Sequence, residues 1–169
     1  VLIVLDFGFL GGSMGMVVGE KVTLALELAA RKKYPAVAVI TSGGARIQEG
    51  VLSLMQMAKT AVAVNALHEK GLPLISVLGN PSTGQVYASF GSLADVILAE
   101  PGAHIGFAPF RAVQKASQRR LISELYTSEN YLEYGLIDRV VDRQELKHVV
   151  STLLDLLNPE FRLSASGRR

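Results

Sequence analysis

The sequence predicts an α/β fold, because an apolar strand, a glycine-rich turn and a helix follow one another repeatedly along its 169 residues. Apolar runs at residues 1–5, 36–40 and 74–78 have the length and composition of buried strands. Each run leads into a glycine-containing segment, and each of these segments leads into a helical pattern. No repeat at the level of sequence accompanies this succession of elements.

The first helices are predicted from apolar periodicity and from the residues that end them. A helix over residues 17–33 ends in basic residues, which suit the negative end of its dipole, and Pro35 stops it. The pattern over 51–70 is apolar almost all round, which is typical of a buried helix, and Gly71 closes it. A loop is predicted at 79–84, and another helix starts at 85–90.

Short strands at 95–99 and 104–107 precede a C-terminal helix. Asp142 and Glu145 form a capping-box pattern at its start. Its apolar residues recur at helical spacing, namely Leu146, Val149, Val150, Leu153, Leu154 and Leu157. We therefore expect one folded domain over residues 1–157 and a polar, frayed tail over 158–169.

Composition excludes several classes of function. The absence of cysteine excludes disulfides, thiol catalysis and cysteine-ligated zinc within this stretch, and no metal site is predicted. Net charge is only +2 and the basic residues do not interleave with aromatic ones, so no nucleic-acid partner is predicted. No apolar stretch is long enough for a membrane span, and no signal peptide is visible. The chain starts inside a strand, which is typical of a piece of a longer protein.

The first glycine-rich segment raises a hydrolase hypothesis, because GGSMG at residues 11–15 fits the G-x-S-x-G pattern of a nucleophile elbow. A Ser13 nucleophile would need a histidine and an acid correctly placed beside it. The three histidines, His68, His104 and His148, are poor candidates for that position. We therefore predict that Ser13 is not a nucleophile.

The two interior turns, SGGARIQEG at residues 42–50 and GNPSTGQVYASF at 79–90, each follow a buried strand and precede a helix. Free backbone N–H groups gather at such a place and can bind negative charge. One N–H from each turn, directed at a common point, would form an oxyanion hole for a thioester enolate or a tetrahedral intermediate. The alternative, which spacing alone favours, is two ordinary turns whose glycines permit positive φ.

Five segments favour the oxyanion-hole interpretation, because their order and spacing resemble the carboxyltransferase subunits of biotin-dependent carboxylases: GGSMGMVVGEK, SGGARIQEGVLSLMQMAKT, LPLISVLGNPSTGQVYASF, DVILAEPGAHIGFA and YGLIDRVV. The resemblance is greatest to the β subunit of bacterial or plastid acetyl-CoA carboxylase. It implies a crotonase/ClpP-like spiral of ββα units. The implied reaction moves a carboxyl group from carboxybiotin to acetyl-CoA and gives malonyl-CoA, the first committed step of fatty acid synthesis.

The resemblance also implies site residues. It puts one oxyanion donor at Gly44 or Ala45 and the other at Gly84 or Gln85. The substrate-binding residues that it implies at the turns beside the CoA-binding lip are Gly11, Gly12, Gly15, Gly43 and Arg46. For Arg46 the alternative to a CoA phosphate is an ion pair with Glu49, three residues further on, which helix spacing favours.

The implied partners are a separate carboxyltransferase α subunit and the biotin carboxyl carrier protein that presents carboxybiotin, in an α2β2 hetero-oligomer. The α subunit would build the hole for biotin, whose ureido nitrogen takes the substrate proton, so no side-chain base is expected. No cofactor is covalently bound and no membrane partner is expected. The implied location is the cytoplasm or the plastid stroma.

Three departures from the family pattern stand out. The four-cysteine zinc ribbon that usually begins the β subunit is missing, so zinc is expected only if an upstream ribbon was trimmed. The family's GFAGPR reads GFAPFR at residues 106–111, and residues 114–135 are unlike the usual stretch. The remaining alternatives are another acyl-CoA carboxylase or decarboxylase such as a malonate decarboxylase subunit, a hydratase, or a non-catalytic scaffold. A hydratase needs carboxylates after the second turn, where only Gln85 and Tyr87 stand.

Overall fold

The structure is a computed structural model that describes residues 1–108, 113–115 and 123–157. Its strands are β1 (Leu2–Leu5), β2 (Ala36–Ser42), β3 (Leu74–Thr83), β4 (Val96–Ala99), β5 (Ile105–Gly106) and β6 (Arg139–Val140). Its longer helices are α1 (Met16–Lys32), α2 (Val51–His68), α3 (Ser128–Glu133) and α4 (Arg143–Leu157). Short helical turns cover Leu10–Gly12, Ile47–Glu49, Tyr87–Gly91 and Ser123–Tyr126.

The strands form one sheet in the order β1-β2-β3-β4-β6, and each of these pairings is parallel. The short strand β5 pairs with the far end of β3. Because the strands are parallel, the turns that follow β1, β2 and β3 all emerge at the same edge of the sheet, as they do at the ligand sites of many α/β proteins. The predicted α/β class is confirmed.

Helices cover both faces of the sheet. Alternate residues of β2 point to opposite faces, with Ala38 and Ile40 in the core beneath α1 and α2. Val37 and Val39 lie on the other face, which α4 covers. Five of the six apolar residues predicted for the C-terminal helix pack there, whereas Leu157 is 43% exposed.

The structure corrects the loop predicted at 79–84. Strand β3 continues through these residues to Thr83, since Ser82 and Thr83 pair with Ile105 and Gly106 of β5. A pairing between segments more than twenty residues apart leaves no mark on the local sequence. The helix predicted at 85–90 is likewise only one π-helical turn, Tyr87–Gly91.

The structure also corrects the prediction that the helix over 51–70 is buried all round. Buried positions on α2 include polar residues, Ser53, Gln56 and Thr60, whereas Leu52 and Met55 are more than half exposed. Ser53 Oγ donates to the buried backbone of the first glycine-rich segment. The side-chain hydrogen bonds of Gln56 and Thr60 stay within their own helix. Several apolar side chains of α2 are left on the outside.

Parts of the sequence predictions lie outside the described residues. These are the tail over 158–169 and parts of the two altered segments, namely residues 109–111 and 116–122. In the part of the chain that is described, none of the helices is long and apolar enough to cross a membrane.

Candidate functional site

The first glycine-rich segment lies alongside the turn that follows β2. The Gly43 N–H donates to Gly11 O at 2.9 Å, and the Met14 N–H donates to Gly44 O at 2.8 Å. The Arg46 N–H then donates back to Met14 O at 3.1 Å. These three backbone hydrogen bonds hold side by side two segments that are about thirty residues apart in sequence.

The two interior turns touch each other at their glycines. Gly44 and Gly84 have φ angles of 102° and 69°, which side-chain-bearing residues rarely adopt. A methyl carbon built on Gly44 would lie 3.0 Å from the Gly84 Cα and 3.5 Å from the Gln85 nitrogen. The two turns, which the family resemblance implied would meet, are thus in van der Waals contact.

Hydrogen bonding distinguishes the two candidate donors in each turn. The Gly44 N–H donates to Ser42 Oγ at 3.0 Å, and the Gly84 N–H donates to Gly106 O at 2.8 Å. The N–H groups of the next residues, Ala45 and Gln85, have no acceptor within the described structure. Two amides that lack protein acceptors therefore follow directly on the two glycines in contact.

A cleft of about 650 Å³ opens in front of the first turn. Its walls are Phe7, Leu10, Gly11, Ser13, Gly43, Ala45, Arg46, Ile47 and Gln48. The cleft gives the Ala45 turn access from outside. The polar side chains of its lining are those of Ser13, Arg46 and Gln48.

Two of the glycines predicted at the lip face the protein instead. A methyl carbon on Gly12 would lie 2.0 Å from Thr41 O, and one on Gly15 would lie 2.1 Å from a carboxylate oxygen of Glu49. Gly11 and Gly43 do line the cleft. The requirement for glycine at 12 and 15 is therefore explained by close packing.

Arg46 has its polar atoms occupied within the protein. Its Nε donates to Ser13 Oγ at 3.1 Å, its Nη2 donates to Ser13 O at 3.2 Å, and its Nη1 pairs with Glu49 Oε1 at 3.4 Å. The other oxygen of Glu49 accepts from the Met16 N–H at 2.5 Å, at the start of α1. The ion pair that helix spacing favours is present, and it connects three segments around the cleft.

Ser13 does not have the partners of a catalytic nucleophile. Its Oγ donates to Leu10 O at 2.8 Å and accepts from Arg46. His68 lies instead beside Asp95, with its Nε2 3.2 Å from Asp95 Oδ2. The hydrogen bonds of Ser13 thus belong to a turn and not to a triad.

Titratable chemistry at the second turn is limited to Tyr87. Burial, with a smaller contribution from Tyr131, raises the pKa of Tyr87 to about 12. The two rings pack edge to face with centroids 5.7 Å apart. The Tyr87 phenol therefore stays protonated at neutral pH. Among the described residues no group of three or more histidine, aspartate or glutamate side chains is placed to hold a metal ion.

Sequence reasoning missed three residues that shape the site: Ser42, Met14 and Ser53. Ser42 Oγ engages the Gly44 amide and also donates to Gly12 O at 2.6 Å. The Met14 carbonyl accepts from three donors, one of them Ser53 Oγ at 3.0 Å. Two features of the sequence could have pointed to them. Ser42 ends an apolar strand, and Ser53 lies within an apolar helix.

Comparison with known proteins gives the family. Residues 1–155 match the family described as "Carboxyl transferase domain". Acetyl-coenzyme A carboxylase carboxyl transferase subunit beta of Hydrogenobaculum sp. is 52% identical over 157 residues, which are 93% of this chain and 57% of that protein. The protein of the same name from Protochlamydia amoebophila is 53% identical over 94% of this chain and 52% of its own length. The chain thus spans about half the length of the curated relatives it matches.

Solved structures give the same picture of the fold. A Pseudomonas malonate decarboxylase hetero-dimer superposes with a TM-score of 0.80 at 26% identity, over 88% of this chain and 68% of that one. Transcarboxylase 12S superposes with a TM-score of 0.79 at 28% identity, over 89% of this chain and 29% of that one. The predicted crotonase-type fold is confirmed by these neighbours. The chain belongs to the carboxyl transferase domain family.

Proposed function

We propose that this chain carries the acyl-CoA side of the carboxyltransferase site of acetyl-CoA carboxylase, where a carboxyl group passes from carboxybiotin to acetyl-CoA and gives malonyl-CoA. The names of the relatives at about 50% identity support this reaction. The structural observation behind the proposal is the pair of amides at Ala45 and Gln85, which have no acceptor among the described residues and belong to turns in contact.

The two amides suit an enolate. Removing a proton from the acetyl methyl group puts negative charge on the thioester oxygen, and N–H donors fixed in advance stabilise that charge without reorganising. We place this oxygen between the Ala45 and Gln85 N–H groups, with the acyl-CoA entering along the cleft. Gly44 and Gly84 act by letting the turns approach, and their own amides serve the fold.

The two turns offer no side chain suited to accept the proton of the acetyl methyl group. Tyr87, which is protonated at neutral pH, is unsuited to the role. Carboxybiotin presented by a biotin carboxyl carrier protein would supply both the carboxyl group and a ureido nitrogen that accepts the proton. This chain would orient the acyl-CoA, hold its thioester and keep water away from it.

We assign the second half of the site, the hole for biotin, to a carboxyltransferase α subunit in an α2β2 assembly. The outward residues beside the cleft support a protein partner, because Ile47 is 82% exposed and Val51, Leu52 and Met55 are all more than half exposed. Apolar residues clustered in this way mark interaction surfaces. The solved malonate decarboxylases are themselves described as a hetero-dimer and a hetero-tetramer.

The cytoplasm or the plastid stroma is the location that fits this function. A chloroplastic relative from Cyanidium caldarium, 48% identical over 92% of this chain, supports the second possibility.

The reverse reaction tests the proposal. The full-length protein, purified with the subunits that accompany it, is expected to decarboxylate malonyl-CoA only when a biotin derivative is added, and to form acetyl-CoA. The chain on its own is expected to be inactive. Biotin-independent loss of CO2 from malonyl-CoA would favour a decarboxylase subunit, and no turnover by the assembled complex would favour a scaffold.

A further inference from the structure

The Gln85 side chain reaches from the second turn to the first glycine-rich segment. Its Nε2 donates to Met14 O at 2.7 Å and to Ser53 Oγ at 3.1 Å, and the residue is 5% exposed. The Met14 carbonyl also accepts the Arg46 N–H. The Met14 carbonyl oxygen therefore links the Gln85 side chain to Arg46, the residue that follows Ala45. The Gln85 backbone also carries the second amide that has no acceptor within the described structure.

The Gln85 side chain is poorly explained by fold stability. A carbonyl oxygen such as Met14 O can only accept a hydrogen bond, so the Nε2 of Gln85 must face it. The Oε1 of Gln85 is then buried without a partner among the described residues. If Gln85 were replaced by an apolar residue of similar shape, Met14 O would keep the donors Arg46 and Ser53. No partner would be orphaned and one unpaired oxygen would disappear, so the penalty of an unsatisfied buried group would be removed and none created.

We propose that Gln85 is a positioning residue, whose side chain fixes the Ala45 and Gln85 amides at the separation that one oxyanion requires. This inference rests on the proposed function. A buried polar atom retained at a cost to stability is expected where geometry matters more than stability. The side chain acts through the Met14 carbonyl, and it does not itself touch the substrate.

The test is Gln85→Met, with Gln56→Met as its matched control. Gln56 is 6% exposed and also has an unpaired Oε1, but its Nε2 donates to Leu52 O within its own helix. In the assembled enzyme Gln85→Met should lower kcat about tenfold or more, because displacements of an ångström are costly in catalysis. In the same variant, the KM for malonyl-CoA and the Tm should not fall together with kcat. Gln56→Met should keep the wild-type kcat.

Hydrogen exchange of the Arg46 amide gives a second measurement that does not depend on activity. Gln85→Met should speed this exchange, since Met14 O loses one of the three donors that hold it, and Gln56→Met should not. A wild-type kcat in Gln85→Met would overturn the inference, and so would a fall in kcat that accompanies a fall in Tm. If the wild-type complex has no carboxyltransferase activity, the proposed function fails. Exchange then decides alone, and unchanged Arg46 exchange overturns the positioning role.

Discussion

Gly84 and Gly44 pack against each other so closely that a methyl carbon added to Gly84 would lie 2.8 Å from the Gly44 Cα. This contact is what brings the Ala45 and Gln85 amides near one another. Each of the two turns alone is common in α/β proteins. Their contact, with one unpaired amide on each side, is the feature that an enolate site requires.

Gly84→Ala should therefore force the turns apart and lower kcat about tenfold or more. Gly71→Ala is the matched control, because Gly71 has a similar φ of 66° and open space around its Cα, against 69° at Gly84. The control should lose only about 1–2 kcal/mol of unfolding free energy, because alanine is strained in the left-handed conformation. It should keep its kcat. Equal losses of activity in the two variants would argue against the contact as the organising feature.

Gly15→Ala should destabilise the protein through Glu49. The added methyl would collide with the Glu49 carboxylate, which accepts from the Met16 N–H at the start of α1. Losing such an acceptor costs about 0.5–2 kcal/mol. In a Glu49→Ala background the same glycine substitution should cost less, and the difference is measured by denaturant unfolding of the four proteins in a double-mutant cycle. Additive losses would show that the two residues are not coupled.

Ser13→Ala should keep most of the activity, because among the described residues the partners of Ser13 Oγ are Leu10 O and Arg46 Nε. Steady-state kinetics of the assembled complex, with circular dichroism as the control for folding, check this. A thousandfold loss in a folded variant would restore the nucleophile hypothesis.

Alkaline pH should weaken the fold through Tyr87. Its pKa is raised from 10.0 to about 12 in the folded protein, so above pH 10 the unfolded chain loses this proton first. The contribution of Tyr87 to stability is fully present below pH 10 and is lost as pH rises through 12. Tyr87→Phe should make the unfolding free energy less dependent on pH in that window. An unchanged pH dependence would contradict the raised pKa.

The sequence predicts the strands and helices well, since each carries its own period or its own stop signal. It does not predict what depends on contacts between distant segments. The extension of β3 needs β5, and the inward position of Ser53 on α2 needs the Met14 carbonyl to which it donates. The choice between Gly84 and Gln85 as donor also depends on a distant contact, because the Gly84 N–H donates to Gly106 O.

If the oxyanion hole is built from backbone amides, removing the Ala45 N–H should matter more than changing the Ala45 side chain. Ala45→Ser keeps the N–H and should retain substantial activity, whereas Ala45→Pro removes it. Losing one such donor costs about a hundred- to a thousandfold in kcat. At the second turn the corresponding pair is Gln85→Pro, which removes the N–H, and Gln85→Met, which keeps it. Gly84 is not the position to substitute, since its amide already donates to Gly106 O and its φ is positive.

The decisive measurement is kcat for biotin-dependent malonyl-CoA decarboxylation by the assembled complex that contains Ala45→Pro, once circular dichroism and CoA binding are shown to match those of Ala45→Ser. We expect a loss of about a hundredfold or more relative to Ala45→Ser. Near-equal kcat values in the two variants would contradict this expectation.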